Sequence, residues 1–378
     1  MSIIRPKFIA LDSSHLATLA GDLCSSDGER RKAAAAFLET LTNCNGILLL
    51  CWHHFEELLR HGDDAVVDQR VKFFRSLPIV ASIAPVTGDD APGSIVDIFA
   101  FEVAEAFKDP DANTVTIRDR VRQKLFRCQT GEKAVGPFAA YLGPMREEFR
   151  RREETSREIV AISQSTYLGV GKTKMAGWLK GQWRSPEDAE RRVTRMTELL
   201  ADDVGQRGDK RIADPSAVAM QFMETVRAEA RKAQRADEHP AAIALLPKDV
   251  DSSEIGAEMT LDQLGDLAAF RRQLRSINDI LGLPWFALTK RVSETRLPSG
   301  LIQSTLRRHR QDLPERKGSE LNDRYLVCLA PYADVTYVDK RTHEWVTRAR
   351  RASPEFAGLV HRVEKASGHA EIMRQLLS

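Results

Sequence analysis

Two short apolar runs near opposite ends of the chain constrain its fold more than any other feature of the sequence. The first, Lys7-Phe-Ile-Ala-Leu-Asp12-Ser-Ser, is a β-prone segment that ends on an acid and passes into hydroxyl residues able to cap a following helix. The second, Asp334-Val-Thr-Tyr-Val-Asp339, is β-branched and aromatic and also ends on an acid. Between them, residues 46–51 (GILLLC), entered through Asn-Gly, have the unbroken apolar character of a buried strand, and residues 79–84 after Pro78 are a further strand candidate. Residues 29–43, 52–61 and 97–107 read as helices between these runs. The pattern predicts an α/β unit.

Beyond about residue 110 the pattern changes. Long charged helices (144–160, 186–201, 214–236 and 261–281) alternate with polar linkers at 202–210 and 246–254, and no useful β-like alternation occurs. This predicts an all-helical insertion or second domain over 111–285, interrupting an α/β unit whose first part is 1–110 and whose second part is 286–378. In that second part, residues 319–330 form a helix with a Ser cap and a stop at Pro331, and 342–352 and 354–367 read as closing helices. No repeat of fixed period is visible, which excludes a solenoid.

Composition narrows the class. The chain is 42% hydrophobic, enough to bury a core and to exclude a disordered tail, but no apolar run approaches the roughly 18 residues of a membrane span. A soluble protein without a membrane partner is expected. The first ten residues lack the apolar centre of a secretory signal, and five cysteines without CxxC or zinc spacing read as reduced thiols of a cytoplasmic protein. The net charge of +2 is uninformative, but its distribution is not. Residues 1–110 carry 10 basic and 16 acidic side chains, and residues 290–365 carry 16 basic and 10 acidic.

Asp12 and Asp339 fall at or just beyond the carboxyl ends of their strands, where open parallel sheets place a ligand crevice. Asp323 begins the helix that feeds the last strand, and Glu57, with Glu56 beside it, lies in the helix after the second strand. In a parallel sheet all four acids can converge. Each pair of carboxylates about 5 Å apart repels by roughly 3 kcal/mol at an effective dielectric near 20, so the cluster needs a cation among its members. An oxygen-only donor set selects Mg²⁺ or Mn²⁺ over zinc. Such an ion lowers the pKa of a bound water and neutralises charge developing on a leaving oxygen.

These residues resemble PIN-like domain nucleases. LDSS at 11–14 looks like the opening of that family, FEELL at 55–59 matches its glutamate followed by Leu, and SELNDRYLVCLAPYADVTYVDKR at 319–341 resembles its carboxyl-terminal half. The resemblance covers about 1–107 and 285–378. It implies a three-layer α/β fold with a central parallel sheet, a metal held by acids, and hydrolysis of phosphodiester bonds, with RNA favoured over DNA. By the motif match the catalytic and metal-holding acids are Asp12, Glu57, Asp323 and Asp339; Glu57 is preferred over Glu56 because it directly precedes Leu58. A free-standing nuclease endangers its own cell, so a toxin or phage-defence role under a protein regulator or inhibitor is a natural extension.

Competing readings stand beside this one. Asp12 can serve only as a helix N-cap, Asp323 can merely complement a helix dipole, and Asp334, at the start of its strand, has a turn role. His53, His54 and His61 show no ligand spacing, since adjacent helical residues point about 100° apart. Leu168-Gly-Val-Gly-Lys-Thr173 resembles the end of a phosphate-binding loop, but Thr166 stands where the full pattern needs glycine. The basic stretches 290–317 and 340–365 bracket the last two acids and suit a polyanion; residues 302–310 (IQSTLRRHR) are the piece most expected to touch a nucleic-acid backbone. The runner-up function is a PIN-like scaffold that binds metal weakly and docks protein or nucleic acid.

Overall fold

The computed structural model describes residues 5–88, 90–165, 171–179, 186–235, 250–311 and 313–378. They form two compact units, the first comprising Met1–Arg152, Ile280–Gln311 and Asn322–Ser378, the second Glu153–Asp279 and Asp312–Leu321.

The first unit is built on six strands: β1 (Lys7–Leu11), β2 (Gly46–Leu50), β3 (Val80–Ile83), β4 (Phe126–Gln129), β5 (Val335–Val338) and β6 (Arg362–Lys365). Their order is β4-β3-β2-β1-β5-β6, and every neighbouring pair is parallel except β3 and β4. β1 and β5, far apart in sequence, lie side by side, with Ile9 opposite Val335 and Leu11 opposite Tyr337. Asn45 takes a left-handed φ of 56° that its short polar side chain tolerates, and its carbonyl accepts from the Lys7 N–H at 2.8 Å, which starts β2 in register with β1.

Side-chain alternation divides the sheet into two faces. Ile9, Leu11, Leu48, Leu50, Val335 and Tyr337 enter one core with Leu16 and Leu19 of α1 (Ser13–Leu23), Phe37 of α2 (Gly28–Asn43), Phe55 and Leu58 of α3 (Trp52–Leu59) and Phe74 of α4 (Asp64–Ser76). Residues of opposite parity, including Ala10, Leu49, Thr336 and Val338, are equally buried, so the sheet is covered on both faces. Each fully buried Leu, Ile or Phe contributes about 1.5–3 kcal/mol, which makes this central sheet the anchor of the unit.

The strands at 7–11, 46–50, 80–83 and 335–338 fall within the runs that predict them, while both edges of the sheet differ from expectation. Residues 126–129 (FRCQ), expected within an all-helical block, form β4, and residues 362–365 (RVEK), expected at the end of a closing helix, form β6. Both are edge strands with polar side chains, so neither carries an apolar signature. The helix expected over 354–367 is correspondingly short, Pro354–Leu359, and β6 leads into a last helix, His369–Leu377. The first unit runs to Arg152, not to about 110, because β4 holds this stretch to the sheet.

In the second unit, Val193, Leu200 and Val204 of helix Pro186–Arg207 pack with Ala219 and Met223 of helix Pro215–Arg235 and with Ala161. Helix formation continues to Arg207, through most of the linker expected at 202–210, because Val204 belongs to that apolar seam. Residues 246–249 of the other expected linker lie outside the described residues. Charged side chains are tied together here: Arg316 meets Asp203 at 2.5 Å, and Asp209 accepts from Arg211 at 2.8 Å and from the Gly318 N–H at 3.0 Å. Among the described residues of this unit the only β pairing is an isolated bridge between Lys174 and Thr260.

Candidate active site

The strand order reverses direction between β1 and β5. From β1 the chain winds through β2 to β3 on one side, whereas β5 leads to β6 on the other. In open α/β sheets the crevice at such a switch point, beyond the carboxyl ends of the strands, is the preferred ligand site. Asp12 follows β1 and Asp339 follows β5, so the two acids flank this crevice.

Both are also helix caps. Asp12 Oδ1 accepts from the Ser14 N–H at 2.7 Å at the start of α1, and Asp339 Oδ1 accepts from the Thr342 N–H at 2.6 Å at the start of helix Lys340–Ala352. Capping fixes each carboxylate at its helix N-terminus and uses one oxygen; among the described residues Oδ2 of each makes no hydrogen bond. The Asp12 N–H donates to the Tyr337 carbonyl at 2.9 Å, tying the first acid to β5 itself.

Glu57 and Asp323 complete the group. Glu57, on α3, accepts from Asn322 Nδ2 at 2.9 Å, and Arg60 lies 4.0 Å away. Burial pushes the Glu57 carboxyl up, opposed by hydrogen bonds from Ser13 and Asn322 and by Arg60. Asp323 is paired with Arg341, yet its carboxyl is pushed up to about 8. Burial is the largest cause; Arg341 opposes it, and the charges of Asp12, Asp339 and Glu57 each add to it. Asp323 therefore senses all three of the other predicted acids, which come from three separate parts of the sequence.

Glu56 faces elsewhere. Its Oε1 accepts from Trp52 Nε1 at 3.0 Å and meets Arg152 at 2.5 Å, so it serves to hold α3 against the helix Arg146–Ser163. Asp334 lies at the opposite end of the sheet, accepting from the Phe8 N–H at 2.7 Å and from Arg122 at 2.7 Å. His54 is a structural bridge: the Cys51 N–H donates to Nδ1 at 3.0 Å, which leaves the proton on Nε2 to donate to the Leu11 carbonyl at 3.0 Å. Burial lowers both His53 and His54 to about 4, so they are neutral at physiological pH. His53 packs its ring 5.4 Å from that of Tyr325.

Residues 302–310, the piece most expected to touch a nucleic-acid backbone, fall mostly on helix Pro298–Arg308, whose apolar side chains enter the core. Ile302 and Leu306 are fully buried on helix Pro298–Arg308, the Leu306 carbonyl accepts from Trp345 Nε1 at 2.7 Å, and Arg307 pairs with Glu294 at 2.8 Å. The apolar stripe of this helix belongs to the core, which leaves Arg308 as its exposed cation. Of the phosphate-loop-like run at 168–173, residues 168–170 lie outside the described residues.

Sequence reasoning missed Arg341, Asn322 and Ser13 as components of the site. Asn322 and Ser13 adjoin predicted acids and Arg341 follows Asp339 by two positions, but residue type alone does not reveal which carboxylate each one meets.

The donor chemistry of the cluster fits a hard divalent cation: four carboxylates, two with an oxygen to spare, and a guanidinium standing among them as an internal cation. Among the described residues, no group of three or more His, Cys, Asp or Glu side chains is placed so that it could hold a metal ion as it stands. The same residues contain no helix long and apolar enough to cross a membrane. Comparison with family models, with curated proteins and with solved structures returns no match.

Proposed function

We propose that the first unit is a PIN-like, metal-dependent nuclease domain that hydrolyses phosphodiester bonds, with RNA favoured over DNA. What supports it is that Asp12 and Asp339 follow the adjacent parallel strands β1 and β5, that Asn322, next to Asp323, donates to Glu57, and that the charges of Asp12, Asp339 and Glu57 all raise Asp323. In this reading the four acids hold Mg²⁺ or Mn²⁺. The ion, when bound, supplies an acidified water and neutralises charge on the leaving oxygen. The caps at Asp12 and Asp339 fix the direction of their carboxylates, Asn322 orients Glu57, and Arg341 holds Asp323. A cytoplasmic toxin or phage-defence effector under a protein regulator is the setting that suits such an activity.

Cleavage of mixed RNA and DNA with and without Mg²⁺ or Mn²⁺ tests this reading on the wild type, Asp12→Ala and Asp339→Ala. Cation-dependent cleavage lost in both variants is expected. Activity unchanged by either substitution removes the site.

A second reading is favoured by the Arg341–Asp323 pair and the lack, among the described residues, of a group placed to hold a metal ion as it stands. It makes the unit a catalytically weak PIN-like scaffold that binds protein or nucleic acid. Nucleic-acid binding without cation-dependent cleavage selects it.

A further inference from the structure

The acid cluster contains its own counter-charge. Arg341 occupies the first turn of helix Lys340–Ala352, two residues after Asp339, and its guanidinium reaches back to Asp323 on the element that precedes β5. Asp323 is largely buried, with 15% of its side chain exposed, whereas Arg341 retains 32%. A long, partly exposed arginine has other rotamers available toward water; a short buried aspartate has few.

We propose that Arg341 is a built-in competitor of the divalent cation, pairing with Asp323 while the site is empty and swinging out of that contact when the cation binds. This rests on the metal-dependent reading above and adds to it the residue that sets the site's threshold for the ion. The charge argument gives a definite sign. A positive group beside a carboxylate weakens the binding of any other cation there, and it weakens a doubly charged ion more than a proton. Removing Arg341 therefore tightens divalent-cation binding, even though Asp323 then also holds its proton more firmly. A residue that merely held Asp323 in place predicts the opposite, because its loss loosens the site.

The test is titration calorimetry of Mg²⁺ into the full-length chain at pH 7 and pH 8.5, comparing wild type with Arg341→Met, Arg341→Gln and Arg341→Lys. Arg341→Met is expected to bind Mg²⁺ at least about tenfold tighter, the factor that corresponds to one unit of opposite-charge influence on a neighbouring carboxyl. Arg341→Gln keeps an N–H donor for Asp323 but discards the charge. It gives the same direction and preserves the test should Arg341→Met not fold. Arg341→Lys stays near wild type. Unchanged or weaker binding in the neutral variants, with wild type binding normally, overturns the competitor role and leaves the metal reading intact. No Mg²⁺ binding by wild type or any variant overturns both.

Discussion

Replacing Asp323 by Asn should stabilise the metal-free protein at alkaline pH, although Asp323 lies at the centre of the proposed site. Asp323 is pushed from an ordinary 3.8 up to about 8 by burial and by Asp12, Asp339 and Glu57, against the pull of Arg341. Its folded-state value lies above its unfolded one, so the native state holds the proton more tightly. The resulting contribution is fully present below 3.8 and is lost as pH rises through about 8. A rise of about four units at 1.36 kcal/mol each bounds the loss at about 6 kcal/mol. Asn carries no charge and escapes that loss, which already includes the opposing pull of Arg341. The expectation is that Asp323→Asn is more stable than wild type at pH 8.5, by up to about 6 kcal/mol, and close to it at pH 4. Since the chain has two units, the assay must read the first one separately. Urea titration in EDTA, followed by hydrogen-exchange protection of peptides covering β1 and β5, does so. If Asp323→Asn proves less stable than wild type at pH 8.5, attraction to Arg341 outweighs burial and acid crowding, and the cluster is not the strained site described above.

Glu102 provides an independent test of a buried carboxyl outside the site. It lies on helix Ile95–Lys108, accepts from the Ser299 N–H, from Ser299 Oγ at 2.7 Å and from Tyr332 Oη at 2.7 Å, and is raised to about 7, chiefly by burial. Its stabilising contribution is likewise complete below 4.5 and lost as pH rises through about 7; Glu102→Gln should therefore gain about 2–3 kcal/mol relative to wild type between pH 5 and pH 8.5, measured by the same exchange experiment. A gap that stays constant with pH shows that Glu102 does not titrate in that window. At Asp339, Asn caps a helix as well as Asp does, so Asp339→Asn should keep wild-type stability while losing cation-dependent cleavage, whereas Asp339→Ala should lose both, the stability by about 1 kcal/mol. Equal destabilisation by the two substitutions, read by thermal melting, counts against the cap.

The legibility of this fold follows burial. β1, β2, β3 and β5 are interior strands, and their apolar runs announce them because each must pack on two faces. β4 and β6 escaped because an edge strand is held by backbone hydrogen bonds and exposes polar side chains, leaving FRCQ and RVEK no periodicity to read. Residues 302–310 carry both signals: three arginines among nine residues suggest a surface, while Ile302 and Leu306, one helical turn apart, settle one side of the helix into the core.

Taken alone, the order of residues determined where the acids stand relative to their strands and helices, since a carboxylate after an apolar run and before a helix start is a local matter of strand ending and capping. It also determined that the donors are oxygens. Only the tertiary structure decided that β5 lies beside β1, that Glu57 turns toward Asn322 while Glu56 turns toward Arg152, and that Arg341 reaches Asp323. Those are long-range choices, made by sheet register and by which face of α3 the core claims, and no short stretch of sequence contains the energy that selects them.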